Sequence, residues 1–155
     1  MKLIILSGPD NCGKTESLNV LHDLLMDISH VKEKSKVQVG NPAQNDFEYL
    51  LEGPGPAQIR IAISTCGDYP DRLKDFCQRH CNCDVVICAC NMKFMRNRVY
   101  VPFEDAMNFD SLATIVLKTP DSTIETQRSA NKKCAQYLFN MLTLFLRLRY
   151  SIMCY

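Results

Sequence analysis

An excess of charge of either sign is missing from this chain. Its 18 lysines and arginines balance 17 aspartates and glutamates, leaving a formal net charge of +1 at pH 7. A chain so near neutrality gives no electrostatic footprint for nucleic acid or for an anionic membrane surface. Long apolar runs are missing as well. Met1–Leu6 is too short for a secretory signal, and no 18-residue apolar stretch exists, so no membrane span is expected and the default compartment is the cytoplasm. Internal repeats, low-complexity tracts and linkers are also absent, and 155 residues read as one domain, 1–155, with enough chain to bury a proper core.

What the chain does have in quantity is cysteine, nine in all, scattered from Cys12 to Cys154. Without a secretory signal these are expected as free thiols rather than a disulfide framework. Cys88 and Cys90 fall in an apolar run, where they act as small core residues. Cys77, His80, Cys81 and Cys83 bring together the residue types that bind zinc, but a C-x-x-H-C-x-C spacing matches no standard zinc module.

The stretch with the clearest chemistry is Gly8-Pro9-Asp10-Asn11-Cys12-Gly13-Lys14-Thr15, which reads G-x-x-x-x-G-K-T. Leu3-Ile4-Ile5-Leu6 before it suits a buried strand. Leu18, Leu21, Leu24, Leu25 and Ile28 after it have helical spacing and predict a helix over Lys14 to Ser29. Two glycines let the backbone turn so that successive N–H groups, together with the first helical turn, cradle phosphate oxygens. Lys14 adds a point charge for the β- and γ-phosphates, and the Thr15 hydroxyl is a ligand for Mg²⁺. By these residues the chain resembles the P-loop NTPase superfamily. The cofactors implied are ATP and Mg²⁺, with Gly8, Asp10, Asn11, Cys12, Gly13, Lys14, Thr15, Glu16 and Gly67 around the nucleotide. Cys12 sits inside the loop at a helix start, where a thiol is activated, so a thiol reagent is expected to weaken nucleotide binding.

Further along, Asp46–Glu52 and Gln58–Thr65 flank a Gly/Pro linker and predict an antiparallel hairpin, in preference to two strands separated by an excursion. Lys32–Lys36 is a polar run expected to end the first helix, with a brief strand at Lys36–Gly40. A helix from Asp71 to about Cys81 follows Pro70. Asp84–Cys90 is continuously apolar, as in a parallel strand covered on both faces. Ser111–Leu117 reads as a strand and Ile124 to Arg149 as a helix whose second half is apolar nearly all round, so it must be buried on more than one side. Either it packs across the sheet with a tail folded over it, or it forms a subunit interface; sheet packing is preferred, with a homodimer contact as the further option. The fold expected is a three-layer α/β/α sandwich around a mainly parallel sheet, a P-loop NTPase fold with one antiparallel edge hairpin.

A phosphate loop needs partners. The second metal carboxylate should end a core strand, which makes Asp68 the first choice and Glu52 the second; Asp84 starts its strand and faces the wrong end. Arg96 or Arg98, in a basic stretch with Lys93, can supply positive charge to the transition state. Order and spacing resemble Ras-like GTPases, where Ser64-Thr65-Cys66-Gly67-Asp68 stands in the place of a D-x-x-G-Q loop. Ser64 replaces the family's aspartate, and Lys118-Thr119-Pro120-Asp121 keeps only the aspartate of its N-K-x-D guanine reader, which favours adenine. The loop also looks like that of thymidylate-kinase-like and deoxynucleoside-kinase-like enzymes, in which the residue at Asp10 faces the acceptor. The expected function is Mg²⁺-dependent phosphoryl transfer from ATP, first to water. The alternatives are a small nucleoside- or nucleotide-type kinase with a small-molecule acceptor, and a nucleotide-binding switch without useful turnover.

Overall fold

In a computed structural model, the chain is described at residues 1–53, 58–96, 99–104 and 113–153, with the backbone alone at residues 99 and 146–153. Eight strands and three helices follow one another among these residues. Strand β1 is Lys2–Gly8, β2 Lys32–Gln38, β3 Phe47–Glu52, β4 Arg60–Ser64, β5 Val85–Asn91, β6 Met95–Arg96, β7 Val99–Tyr100 and β8 Thr114–Leu117. Helix α1 is Lys14–Met26, α2 Pro70–Arg79 and α3 Ile124–Met153.

Six strands make one mixed sheet in the order β2-β3-β4-β5-β1-β8, and β6 and β7 form a separate two-stranded ladder. β4, β5, β1 and β8 run parallel, with β1 seated between β5 and β8 (Ile4 opposite Ile87 on one side and Thr114 on the other). Parallel strands in mid-sheet are covered on both faces, and β5 is buried at all seven positions, as its unbroken apolar run requires. Successive side chains point to opposite faces. Ile4, Leu6, Ile61, Ile63 and Ile87 therefore meet Leu18, Leu21 and Leu25 of α1 and Ala135, Leu138 and Leu142 of α3. Leu3, Ile5, Ala62, Val86 and Cys88 meet Leu73 and Phe76 of α2 with Tyr100 and Phe103. Cys88 and Cys90 are fully buried small residues of that second core, as expected. Among the described residues no helix is long and apolar enough to cross a membrane.

The two runs around the Gly/Pro linker pair antiparallel, Leu50 opposite Ala62, so the hairpin is present. It is not the edge of the sheet. β2 lies outside it, antiparallel to β3, and begins at Lys32, so it takes in the polar run expected to end α1 as well as the start of the brief strand expected at Lys36–Gly40. All seven β2 residues are exposed, so no apolar alternation marks them. A lysine-rich edge strand of this kind discourages pairing with other chains. Helix α1 accordingly stops at Met26, short of Ser29. On α3, Leu138 and Leu142 are buried while Tyr137 and Leu144 are exposed, so its described side chains have one solvent-facing side.

Candidate functional site

The carboxyl ends of parallel strands and the amino ends of the helices that follow them meet at one edge of such a sheet. Here that edge carries the turn from β1 into α1. Asn11 (φ 56°) and Gly13 (φ 80°) take left-handed backbone conformations, which turn main-chain N–H groups toward one side. Gly13 is the N-cap of α1, and no side chain caps the helix, so its first amides are left to a ligand. Both glycines are also required by crowding: a Cβ at Gly8 would press on the Lys118 carbonyl and Cys12 Sγ, and one at Gly13 on Asn131.

Lys14 is 7 % exposed and folds back over the turn, its Nζ donating to the carbonyls of Gly8 (3.1 Å) and Pro9 (2.6 Å). Thr15 Oγ1 donates to Asp46 Oδ1 (2.9 Å), with the Thr65 carbonyl at 3.2 Å. Thr65 Oγ1 lies 3.4 Å from the same Asp46 oxygen and accepts from the Phe47 amide at 2.9 Å. Burial raises the Asp46 carboxyl above its ordinary value of 3.8, against the hydrogen bonds from Thr15, Cys66 and Thr65 that lower it. Oxygen ligands of an octahedral Mg²⁺ at about 2.0–2.1 Å stand about 2.9 Å apart. Thr15 Oγ1 and Asp46 Oδ1 are hard oxygens of the kind such an ion takes, but here their separation is set by the hydrogen bond between them, which a metal would have to replace. Among the described residues no cluster of three or more His, Cys, Asp and Glu side chains is placed to hold a metal.

Asp46 had no part in the sequence expectation, which placed the metal carboxylate at a strand's end. β3 runs antiparallel to β4, so its beginning shares an edge with the ends of β1, β4 and β5. Asp46 stands at that beginning. Glu52, the second choice, ends β3 at the far edge of the sheet, where it pairs with Lys34 at 3.0 Å; the strand's direction removes it from the site.

Across the turn, Asn91 ends β5 and donates from Nδ2 to the carboxylates of Asp10 and Asp68, the latter at 3.1 Å. Its Oδ1 accepts from the Lys93 amide at 3.1 Å. Asp68 thus lines the cleft but is tied to Asn91 rather than to Thr15. Gly67 accepts from the Asn91 amide at 3.0 Å and packs on Ala89, where a Cβ would come within 3.2 Å. It is β5, not the β4 strand before Gly67, that neighbours β1, so Asn91 occupies the strand end nearest the loop.

The cleft so formed has a volume of about 670 Å³ and is lined by Asp10–Glu16, Asn19, Gln44, Asn45, Gly67 and Asp68. Arg96 is exposed on β6 and is not among these residues; Arg98 lies outside the described residues. Cys12 lines the cleft with its backbone, but its side chain is fully buried, with Sγ 3.8 Å from Lys14 Nζ. A reagent therefore reaches it only if the loop opens, so the expected weakening of nucleotide binding by a thiol reagent requires that opening first. The four zinc-type residues do not converge: Cys77 Sγ faces Cys88 Sγ in the core at 4.0 Å, Cys83 Sγ is 3.9 Å from His80 Nδ1, and Cys81 is exposed.

Helix α3 supports the turn from behind. Fully buried Asn131 donates to Glu16 Oε2 (2.7 Å), and Gln127 donates to the Cys12 carbonyl (2.9 Å). No family model, no curated protein and no solved structure matches this chain.

Proposed function

We propose that this chain is a P-loop NTPase-type protein that binds ATP with Mg²⁺ and transfers its terminal phosphoryl group, first of all to water. One observation carries the reading: the uncapped start of α1 and the Lys14 ammonium line the same 670 Å³ cleft as Thr15, whose hydroxyl is bonded to buried Asp46 behind it. The amides and Lys14 suit a polyphosphate, and the oxygen pair suits the cation that accompanies it.

On this reading Lys14 exchanges the Gly8 and Pro9 carbonyls for phosphate oxygens, to which its charge is better matched. Thr15 and Asp46 hold Mg²⁺, which when bound neutralises charge on the transferring group. The main-chain N–H groups from Asn11 to Lys14 keep the phosphate chain in line, and Gly67 offers an amide at the cleft wall. Asp68, oriented by Asn91, is placed to position an incoming nucleophile.

A second reading has its own support. Asp10 and Asp68 are gathered by a single amide on the rim opposite Thr15, where a hydroxyl-bearing small molecule could accept the phosphoryl group. This is the kinase alternative, and only the acceptor differs.

Turnover of γ-labelled ATP by the purified protein tests both. Release of inorganic phosphate is expected, and Lys14→Ala should reduce it by about a hundredfold or more, as for the loss of a transition-state donor. A variant as active as the wild type would overturn the reading. A thermal-shift comparison of ATP and GTP with Mg²⁺ reads base preference, with ATP expected to give the larger rise in Tm.

A further inference from the structure

Gln127 of α3 makes hydrogen bonds in three directions with one side chain. Its Nε2 donates to the Cys12 carbonyl inside the phosphate turn at 2.9 Å and to Asn131 Oδ1, one helical turn along, at 2.9 Å. Its Oε1 accepts from the Asp121 amide at 2.9 Å, in the segment that leads into α3. Both Nε2 donors and one acceptor site of Oε1 are used, and two of the three bonds reach other segments of the chain.

Between those two segments lies a second recess of about 440 Å³. Asn11 and Glu16 form one wall, and they also line the phosphate cleft, so the two spaces adjoin across these residues. Asp121, Thr123, Ile124 and Arg128 form the other. The wall is chemically mixed: a carboxylate, a guanidinium, a hydroxyl, and an isoleucine that is 77 % exposed and available to cover a flat apolar ring. A polyphosphate alone has no use for such a wall, whereas a nucleoside joined to that polyphosphate does.

We infer that Gln127 is a positioning residue which fixes the spacing between the phosphate loop and this recess, so that a ligand spanning both is a nucleoside triphosphate and not an inorganic polyphosphate. The inference rests on the phosphate reading of the loop. The strut acts on both walls at once: its amide nitrogen holds the turn at Cys12, and its carbonyl holds the recess at Asp121. Asn131 is different: its described hydrogen bonds go to Ser17, Glu16 and Gln127, and none of them reaches the Asp121 segment.

Calorimetric titration of the whole protein with Mg²⁺-ATP and with Mg²⁺-tripolyphosphate tests this. Wild type should bind ATP more tightly than tripolyphosphate. Gln127→Met keeps the side chain's length while removing its hydrogen bonds, and it should shrink that advantage about tenfold, the worth of roughly one well-made hydrogen bond network. Gln127→Ser, which removes the strut without adding bulk, should do the same and serves if the methionine variant folds poorly. A variant that melts lower but loses both ligands by the same factor would make Gln127 merely structural and overturn the inference. Equal affinity of the wild type for the two ligands would overturn it too, leaving the phosphate reading intact. Failure of both ligands to bind would remove the inference and the phosphate reading together.

Discussion

Asp46 does two opposed things at one position. Its carboxyl is 3 % exposed, and burial holds its pKa above the ordinary 3.8. The folded chain therefore keeps that proton at pH values where the unfolded chain has released it. Stability falls as pH rises from the ordinary carboxylate range through the raised value, and at neutral pH the ionised group is a cost to the ligand-free fold. Asp46→Asn should consequently raise the Tm of the ligand-free protein at neutral pH, since the amide oxygen still accepts from Thr15. The same change should lower Mg²⁺-dependent turnover by about 10- to 100-fold, as for other residues that orient a metal site. A lower Tm combined with intact turnover would deny Asp46 both roles. Thiol chemistry gives a second check on single residues. Burial pushes Cys66 up to about 11 and Cys90 to about 12, so both are slow nucleophiles. Of the described cysteines Cys81 is the exposed one, and mass spectrometry after brief iodoacetamide treatment should find it labelled while Cys12 is not. Prompt labelling of Cys12 would mean that the loop is open in solution.

Elements were legible in the sequence to the degree that they are buried. β1 and β5 announce themselves as apolar runs because both faces of each are covered, and α1 by a stripe of leucines. β2 carries no such mark, because every one of its side chains faces water. Asp46 escaped for another reason: periodicity identifies a strand but not its direction, and only the antiparallel turn of β3 brings its first end to the site. Gln127 and Asn131 were illegible because their partners lie 115 positions away, at Cys12 and Glu16, and no local spacing records such a contact. α2 illustrates the energetic side of this. Its Arg79 pairs with Asp75 one turn back (2.8 Å) and reaches Glu48 of β3 (2.9 Å), whose side chain is 9 % exposed. Arg79 is itself half-exposed, so most of what it contributes is a partner for Oε2 of buried Glu48 rather than the attraction between charges. Arg79→Ala should cost about 1–3 kcal/mol, the penalty for an acceptor left buried and unpaired. Glu48→Gln in the Arg79→Ala background should recover part of that loss, because it removes the stranded charge. Chemical denaturation of the two variants measures both, and a double variant no more stable than the single one would contradict the account.

At the scale of the whole molecule, a chain of net charge +1 has no long-range field with which to gather an anion, so binding depends on what the cleft itself presents. The cleft presents more negative charge than positive. Asp10, Glu16 and Asp68 line it against the single ammonium of Lys14, and Asp46 stands immediately behind Thr15. The loop's amides favour a phosphate at contact distance, but a metal-free triphosphate entering this cleft meets an excess of carboxylates first. On the proposed reading the cation therefore comes with the ligand, and Thr15 and Asp46 would hold it. Chelating Mg²⁺ with EDTA should weaken ATP binding by about tenfold or more, which is about 1.4 kcal/mol of uncompensated repulsion. The salt dependence should also change sign. With Mg²⁺ present, added salt should weaken binding modestly by screening attraction. Without it, moving from low salt to about 0.15 M shortens the screening length to about 8 Å and should strengthen binding, because repulsion is then the larger effect. Titrations across that salt range, with and without EDTA, decide the matter. Tight metal-free binding that weakens steadily with salt would show that the amides and Lys14 outweigh the carboxylates, and that the acidic rim plays no part in selecting a metal-bound ligand.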